Sequence, residues 1–384
     1  MATITLSLMF SLITAILLVR VAPALLQRAA DNDFSGPQKF HSRAVPRVGG
    51  LAIVAGVVAG MGWAEWRRPG VNTEYWVFLA CALPTLGFGL WEDFTKSISP
   101  RRRLVATMGS ALLAVWLMGL HITRTHIPGV DQLVVWYPMS VALTVLVITG
   151  VANAVNIIDG FNGLAAMCVM IMMGGIAVVA YEVGDGFLFT MALVVIGGTF
   201  GFFVLNYPAG LIFMGDGGAY FLGFMLSVMG IALVEANPQV SPLFPLLLCG
   251  YPIFETLFSI YRKKYVTGIS PTEPDGVHLH MLVYRRVMRS ALSERHPQDR
   301  RKTMRNSMTS PYLWMLSLST TIPAVLWWDS TSALAAWIFG FAVMYVAIYW
   351  SIVKFRTPRW LVVRRGGSRS VERPGMLKGE PFER

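Results

Sequence analysis

Charged residues are scarce in this chain. Only 14% of its 384 residues are Asp, Glu, Lys or Arg, whereas 55% are hydrophobic and the mean hydropathy is +0.56. Ordinary soluble domains carry about 25% charged residues. This scarcity excludes a separate soluble domain of any size and predicts an all-α polytopic integral membrane protein.

Three features that would indicate other kinds of protein are missing: a cysteine metal site, a signal peptide and an internal repeat. The only cysteines, Cys81, Cys168 and Cys249, lie in apolar runs with no second Cys or His at metal-ligand spacing, so we interpret them as packing residues. No positive charge precedes the first apolar run, which therefore resembles an anchor rather than a signal peptide, although Ala22-Pro23-Ala24 resembles a cleavage site. No internal repeat is evident, and this argues against a secondary transporter, the main alternative from another class.

The chain does have eleven apolar runs suitable for spanning a bilayer. They occupy residues 3–26, 48–66, 74–91, 104–120, 134–152, 163–181, 187–205, 217–235, 241–261, 311–328 and 332–353. Lys and Arg number four, four, eleven and nine in segments 28–47, 92–103, 262–310 and 354–384. The loops predicted on the opposite side of the membrane hold three Lys or Arg residues. This split of 28 to 3 predicts the N-terminus outside and the C-terminus in the cytoplasm, and it accounts for the net charge of +11 without nucleic acid.

We therefore predict one transmembrane catalytic domain over residues 1–353, followed by a basic, disordered tail at 354–384 held against anionic lipid headgroups. The polar loops predicted to face the cytoplasm are 28–47, 92–103, 153–163, 206–217 and 262–310.

The stretch Val151–Ala166 carries the densest polar pattern. Asn153, Asn156, Asp159 and Gly163 recur every three to four residues, which puts amides and a carboxylate on one helical face. An oxygen-rich face of this kind suits a hard cation such as Mg2+. The alternative is that Asn and Gly only allow two transmembrane helices to pack closely.

Carboxylates also end one apolar run and begin another. Glu92 and Asp93 are adjacent and precede Lys96 and Arg103, a pattern that suggests a metal or cation nearby, or else a solvated helix end. Asp216 lies between glycines at a predicted helix start, where it would hold a cation or act as an ordinary N-cap.

Two basic segments suggest anion binding. His278 and His280 lack a third or fourth zinc ligand nearby, and Arg285 follows them, so phosphate is the better functional ligand. A basic amphipathic helix at 281–289 lying on the membrane surface is the alternative. Arg43 precedes Pro46-Arg-Val-Gly-Gly50, which has the features of an anion-binding helix start.

Taken together, these segments resemble the polyprenyl-phosphate N-acetylhexosamine-1-phosphate transferase family, from about residue 33 to 286. The family pattern Pro-x-x-Gly-Gly matches residues 46–50, and Asn-x-x-Asn-x-x-Asp-Gly-x-x-Gly-Leu-Ala matches 153–165. Phe-Met-Gly-Asp-x-Gly matches 213–218. Glu92 replaces the first residue of the family's Asp-Asp pair, and Met281 replaces the third histidine of its His-rich loop.

The resemblance implies roles for the matched residues. Asn156 and Asp216 would be ligands of Mg2+, with Mn2+ as the alternative ion. The catalytic residues would be Glu92, Asp93, Lys96 and Asp159, and the substrate-binding residues Arg43, Arg103, Asn153, Asn162, Phe213, His278, His280 and Arg285. Glu92 and Asp93 would position a lipid phosphate and take any residual proton. Lys96 and Arg103 would offset negative charge, and Asp159 would orient the neighbouring site. Phe213 and Asn162 would lie near the uracil ring, and His278, His280 and Arg285 would hold the diphosphate or sugar.

The implied reaction is transfer of N-acetylhexosamine-1-phosphate from a UDP-sugar to undecaprenyl phosphate at the cytoplasmic face of a bacterial inner membrane. Eleven spans and the missing third histidine favour the O-antigen-initiating group over the alternative, the phospho-N-acetylmuramoyl-pentapeptide transferases. An inactive scaffold is a further alternative, motivated by Glu92 and Met281. The expected partners are the two substrates and membrane lipids, not nucleic acid, and a homodimer is left open.

Overall fold

The computed structural model of the protein describes residues 1–25, 30–31, 45–67, 74–268, 277–288 and 298–354. Its helices are α1 (Ala2–Leu25), α2 (Gly49–Arg67), α3 (Glu74–Thr95), α4 (Pro100–Met118), α5 (Val130–Val134), α6 (Tyr137–Ile158), α7 (Leu164–Glu182), α8 (Gly186–Asn206), α9 (Gly215–Ala236), α10 (Leu243–Leu248), α11 (Gly250–Tyr261), α12 (Leu279–Leu282), α13 (Gln298–Leu326) and α14 (Thr331–Val353). Two-residue strands β1 (Ala30–Asp31) and β2 (Val45–Pro46) pair antiparallel. Arg43 lies outside the described residues, and so does the part of the predicted tail that follows Lys354.

The prediction of an all-α polytopic membrane protein is confirmed. Among the described residues, eight helices are long and apolar enough to cross a membrane, namely α1, α2, α3, α6, α7, α8, α9 and α14. The predicted runs 104–120 and 311–328 overlap α4 and α13, and each extends two residues past the end of its helix. A total of eleven spans and the orientation of the termini stay predictions.

One predicted run is not a single helix. Residues 241–261 divide into α10 and α11 at Cys249. Pro252 follows this break; it has no backbone N–H to donate to the carbonyl of Leu248, and proline is tolerated in the first turn of a new helix. Apolar composition alone could not indicate this division.

Helix α9 forms the centre of the bundle. All of its residues except Ala232, Glu235 and Ala236 are buried, and α2, α3 and α6 pack against it. Small residues permit this packing. A Cβ atom added at Gly223 would lie 2.6 Å from the Cα of Ala152 in α6, so the two backbones nearly touch.

The start of α9 is joined to the start of α2 by backbone hydrogen bonds. The amides of Gly49 and Gly50 donate to the carbonyls of Phe213 and Met214, each at 2.9 Å, and the Phe213 amide donates to Pro46 at 2.9 Å. Glycine is needed at this junction, because a Cβ at Gly50 would lie 2.5 Å from the Gly218 nitrogen. These contacts bring two of the predicted motifs together at one end of the bundle.

Candidate active site

Asp93, in the last turn of α3, caps the N-terminus of α9. Its two carboxylate oxygens accept from the amides of Asp216 at 2.8 Å and Gly217 at 2.9 Å, and the residue is 1% exposed. These amides belong to the first turn of a helix, where backbone N–H groups have no partner within the helix. Gly215 adopts a φ of 76°, and a Cβ there would lie 2.5 Å from Asp93 Oδ2. The glycine is therefore required by both the turn and the carboxylate.

The side chain of Asp216 lies among cationic and amide groups. Arg47 Nη2 is 3.1 Å from its Oδ1, and Arg103 Nη1 contacts its Oδ2. Arg47 also lies 3.8 Å from Asp93 Oδ1. Since Asp216 is only 6% exposed, the two arginines offset a negative charge that would be costly to bury alone.

Asn156, near the end of α6, completes this cluster. Its Nδ2 donates to Asp216 Oδ1 at 3.3 Å, so the two residues assigned to Mg2+ are in contact although they are 60 positions apart. A 180° rotation of the amide would turn its oxygen to the same place. A carboxylate and an amide oxygen fit Mg2+, which binds few protein ligands and keeps the rest for water and phosphate. Within the described residues, no group of three or more His, Cys, Asp or Glu side chains could hold a metal.

Asp159 immediately follows α6 and is half-buried. Burial raises the pKa of its carboxyl to about 7, and the neighbouring Arg47 guanidinium opposes that rise. The carboxyl of Asp159 therefore changes charge near neutral pH.

The adjacent acid, Glu92, has a different environment from Asp93. Its Oε2 accepts from the Ile98 amide at 2.6 Å and so fastens the loop between α3 and α4. Lys96 lies in that loop, exposed and with a φ of 52°. The two adjacent acids thus contact different groups, because neighbouring helical residues point about 100° apart.

Two of the residues assigned to substrate binding are held mainly by protein groups. Asn153 accepts from the hydroxyl of Tyr220 at 3.0 Å and donates to the Thr149 carbonyl at 2.8 Å, which ties α6 to α9. Asn162 is 5% exposed, and its side chain donates to the carbonyl of Pro208 at 3.2 Å. A contact of Asn162 with uracil stays a prediction.

Helix α13 holds the turn that contains Asn162. The Asn162 amide donates to Asn306 Oδ1 at 2.8 Å, and its carbonyl accepts from the Ser310 hydroxyl at 2.6 Å. Trp314 Nε1 donates to the Gly163 carbonyl at 3.1 Å.

Phe213 is half-buried in the neighbouring junction between α2 and α9, and its contact with uracil is likewise a prediction.

The predicted histidine pair reaches the turn after α6. The rings of His278 and His280 stack with centroids 5.3 Å apart, and the His280 ring lies 5.6 Å from that of Phe161. A Cβ at Gly160 would be 3.3 Å from His280 Nε2. Arg285 is exposed, and Met281, at the position of the missing histidine, is 4% exposed within the apolar core.

Sequence reasoning did not assign two residues of this region. Arg47 is inside the Pro46–Gly50 motif, but the sequence pattern identifies it only as one of the loop charges. Glu255 is buried in α11, where its Oε1 lies 3.0 Å from His278 Nδ1. The available signal for Glu255 was an acidic residue inside an otherwise apolar run, since such residues are costly in a membrane and are usually functional.

The fold and the site define an integral membrane protein that gathers carboxylates, arginines, an amide and histidines at the helix ends on one side of its bundle. Such a set suits a phosphorylated substrate and a divalent cation.

Comparison with known proteins identifies the family. Residues 75–234 match Glycosyl transferase family 4. The chain is 31% identical over 301 residues to the "Probable undecaprenyl-phosphate N-acetylglucosaminyl 1-phosphate transferase" of Bacillus subtilis (strain 168), a match that covers 77% of this chain and 80% of the relative. The chain therefore belongs to the polyprenyl-phosphate N-acetylhexosamine-1-phosphate transferases of Glycosyl transferase family 4.

Two other relatives are named "Undecaprenyl-phosphate alpha-N-acetylglucosaminyl 1-phosphate transferase". The protein of Yersinia pestis is 27% identical over 257 residues, covering 65% of this chain and 68% of the relative. That of Escherichia coli (strain K12) is 26% identical over 258 residues, covering 65% and 67%. The resemblance found in the sequence motifs is thus confirmed.

Proposed function

We propose that this protein transfers N-acetylhexosamine-1-phosphate from a UDP-sugar to undecaprenyl phosphate and releases UMP. The observation that carries the proposal is the convergence of Asp216, Asn156, Arg47 and Arg103 at one point, with the carboxylate of Asp93 holding the helix start beneath it. The names of the relatives support both the acceptor and the N-acetylhexosamine donor.

In this reaction an oxygen of the lipid phosphate forms a bond to the β-phosphorus of the UDP-sugar, and the bond between that phosphorus and the oxygen bridging to the α-phosphate breaks. A phosphomonoester has its second pKa near about 6, so the acceptor is mostly dianionic at neutral pH and needs little help from a base. The main task of the protein is then to align two anions and offset their repulsion.

Residues of this chain are suited to that task. Arg47 and Arg103 contact Asp216 and can turn their guanidinium forks to phosphate oxygens when the substrates bind. Asp216 and Asn156 would hold Mg2+, or Mn2+ in its place, which when bound supplies positive charge to the diphosphate.

Asp93 positions the first turn of α9, and we assign it to the lipid phosphate and any residual proton, whereas Glu92 holds the loop that carries Lys96. His278, His280 and Arg285 are assigned to the diphosphate or sugar, and Lys96 to charge compensation.

Three finer statements belong to the same proposal. N-acetylglucosamine is the preferred sugar, supported by the names of the relatives, and the product starts a lipid-linked polysaccharide such as O-antigen. Residues 1–353 act as one catalytic domain. The charge distribution supports a bacterial inner membrane location, eleven spans and a site that faces the cytoplasm.

The test is release of UMP by the purified full-length protein in the presence of undecaprenyl phosphate, Mg2+ and one UDP-sugar at a time. We expect release with UDP-N-acetylglucosamine, dependent on the lipid, and none from the Asp216→Ala variant. No UMP with any UDP-N-acetylhexosamine would refute transferase activity. Equal release without the lipid would indicate hydrolysis of the nucleotide-sugar instead.

A further inference from the structure

Glu255 is a fully buried acid on α11, with 1% of its surface exposed. It lies outside the segment 75–234 that defines the family match and outside the cluster around Asp216. Burying a carboxylate is costly unless hydrogen bonds satisfy its oxygens. The groups that surround Glu255 therefore indicate what the residue does.

Three donors from two parts of the chain meet this carboxylate. Oε1 lies 3.0 Å from His278 Nδ1 and accepts from the Leu279 amide at 3.0 Å. Oε2 accepts from the Tyr345 hydroxyl of α14 at 2.9 Å. Glu255 thus ties the start of α12 to both α11 and α14. A second hydrogen bond joins α14 to the residues before α12: the Tyr349 hydroxyl donates to the Val277 carbonyl at 3.1 Å.

From His278 the contacts continue to the candidate active site. The His278 ring lies parallel to that of His280, with an interplanar angle of 3°, and His280 packs edge-on against Phe161. Phe161 belongs to the turn that follows Asn156 and Asp159. A shift of the His278 ring would therefore be transmitted to the turn directly after α6, the helix that carries the proposed metal ligand Asn156.

We propose that Glu255 is a positioning residue for the transfer reaction, which fixes the ring orientation of His278 and keeps a proton on its Nδ1. Tyr345 supports Glu255 from the opposite side. This inference rests on the proposed function, since it assigns a role within that reaction.

The physical reason is the direction of the hydrogen bond. A carboxylate can only accept, so Nδ1 of His278 must carry the hydrogen in the bond to Glu255. That arrangement sets the tautomer and places Nε2 on the side of the ring away from Glu255, where in the neutral ring it can accept from a substrate hydroxyl. Carboxylates that orient a metal-bound histidine in this way change metal affinity or activity by about 10–100-fold when they are replaced, and we expect an effect of similar size at His278.

The experiment compares Glu255→Gln, His278→Gln and the double variant with the wild type in the UMP assay. Glu255→Gln is nearly isosteric and keeps an acceptor, but it removes the charge. We expect its kcat to fall by about 10–100-fold. Because Glu255 acts through His278, we expect the double variant to be no slower than His278→Gln alone.

Thr256→Val is the matched control. Thr256 is the next residue of α11, and its hydroxyl bonds only within the helix, to the Pro252 carbonyl at 2.9 Å. We expect this variant to have the wild-type rate. Glu255→Asp, which keeps the charge on a shorter side chain, should recover part of the loss seen in Glu255→Gln.

Two results would overturn the inference while leaving the transferase activity intact: a wild-type rate for Glu255→Gln, or a double variant whose loss is the product of the two single losses. If Glu255→Gln is not recovered folded from the membrane, Tyr345→Phe in the same cycle with His278→Gln decides the matter by the same criteria. An inactive wild type would instead refute the proposed function.

Discussion

Asp93 and Glu92 are neighbours in sequence but differ in what they hold. Asp93 accepts two amides of α9, whereas Glu92 accepts one amide of an exposed loop. We expect Asp93→Asn to reduce UMP release by at least about 100-fold, because its amide would place N–H groups against the helix start and displace Asp216. Glu92→Gln keeps an acceptor for Ile98 and should retain most activity.

This pair of variants is compared at equal amounts of folded membrane protein, with UMP release as the measurement. If both variants lose activity equally, the two acids act as a catalytic pair and the division described above does not govern the reaction.

The carboxyl of Asp159 provides a prediction on pH. Burial raises its pKa from the ordinary 3.8 to about 7, so the folded protein favours the protonated form and the ionised fraction falls as the pH drops through 7. If the ionised form orients the site, UMP release should decrease by up to about tenfold per pH unit below 7. The same shift should make the protein less stable as the pH rises from about 4 to 7, because the folded state then binds more protons than the unfolded state.

The pH profile of Asp159→Asn tests this assignment. We expect a low rate with no acid limb near pH 7. An unchanged acid limb in the variant would show that another group titrates there.

Helices α3 and α9 lie close together where a glycine of one faces a glycine of the other. A Cβ at Gly89 would lie 2.5 Å from the Gly217 Cα, whereas a Cβ at Gly87, two residues away in the same helix, has nothing within 4 Å. We expect Gly89→Ala to destabilise the protein by about 1–3 kcal/mol and to abolish transfer, since Gly217 adjoins Asp216.

Gly87→Ala is the control, and its effect on stability should stay within about 1 kcal/mol. Thermal unfolding and UMP release measure both effects. A fully active, stable Gly89→Ala variant would mean that the junction of α3 and α9 can separate without loss of the site.

Some contacts between these helices could be inferred from the sequence, and others could not. The motifs around Asn156 and Asp216 were recognisable because their polar residues interrupt apolar runs, and the structure places these two side chains in contact. The hydrogen bonds that join Asn162 to Asn306 and Ser310 were not predictable. Ser and Asn residues on a long helix give no sequence signal for a contact with a residue at least 144 positions away. Likewise, the break at Cys249 depends on local backbone geometry inside an unbroken apolar run.

For the whole molecule, the testable property is orientation. Ser97 and Pro128 are both exposed and lie beyond opposite ends of α4. The native cysteines are all buried and should give little background. If the positive-inside distribution sets the topology, a membrane-impermeant maleimide applied to spheroplasts should label a Pro128→Cys variant.

A Ser97→Cys variant should be labelled only after the membrane is permeabilised. The reverse pattern would place the candidate site on the outer face, away from soluble nucleotide-sugars.

The central position of α9 has a consequence for how the protein is made. Asp216 follows Arg47 by 169 residues, which at a synthesis rate of about 5–20 residues per second corresponds to a delay of roughly 10–30 s. Helices α2, α3 and α6, which pack against α9, thus leave the ribosome before it does. During biogenesis the early helices must stay separated, or reopen, to admit α9 between them, and Arg47 and Asp93 have no ionic or capping partner on α9 until it arrives.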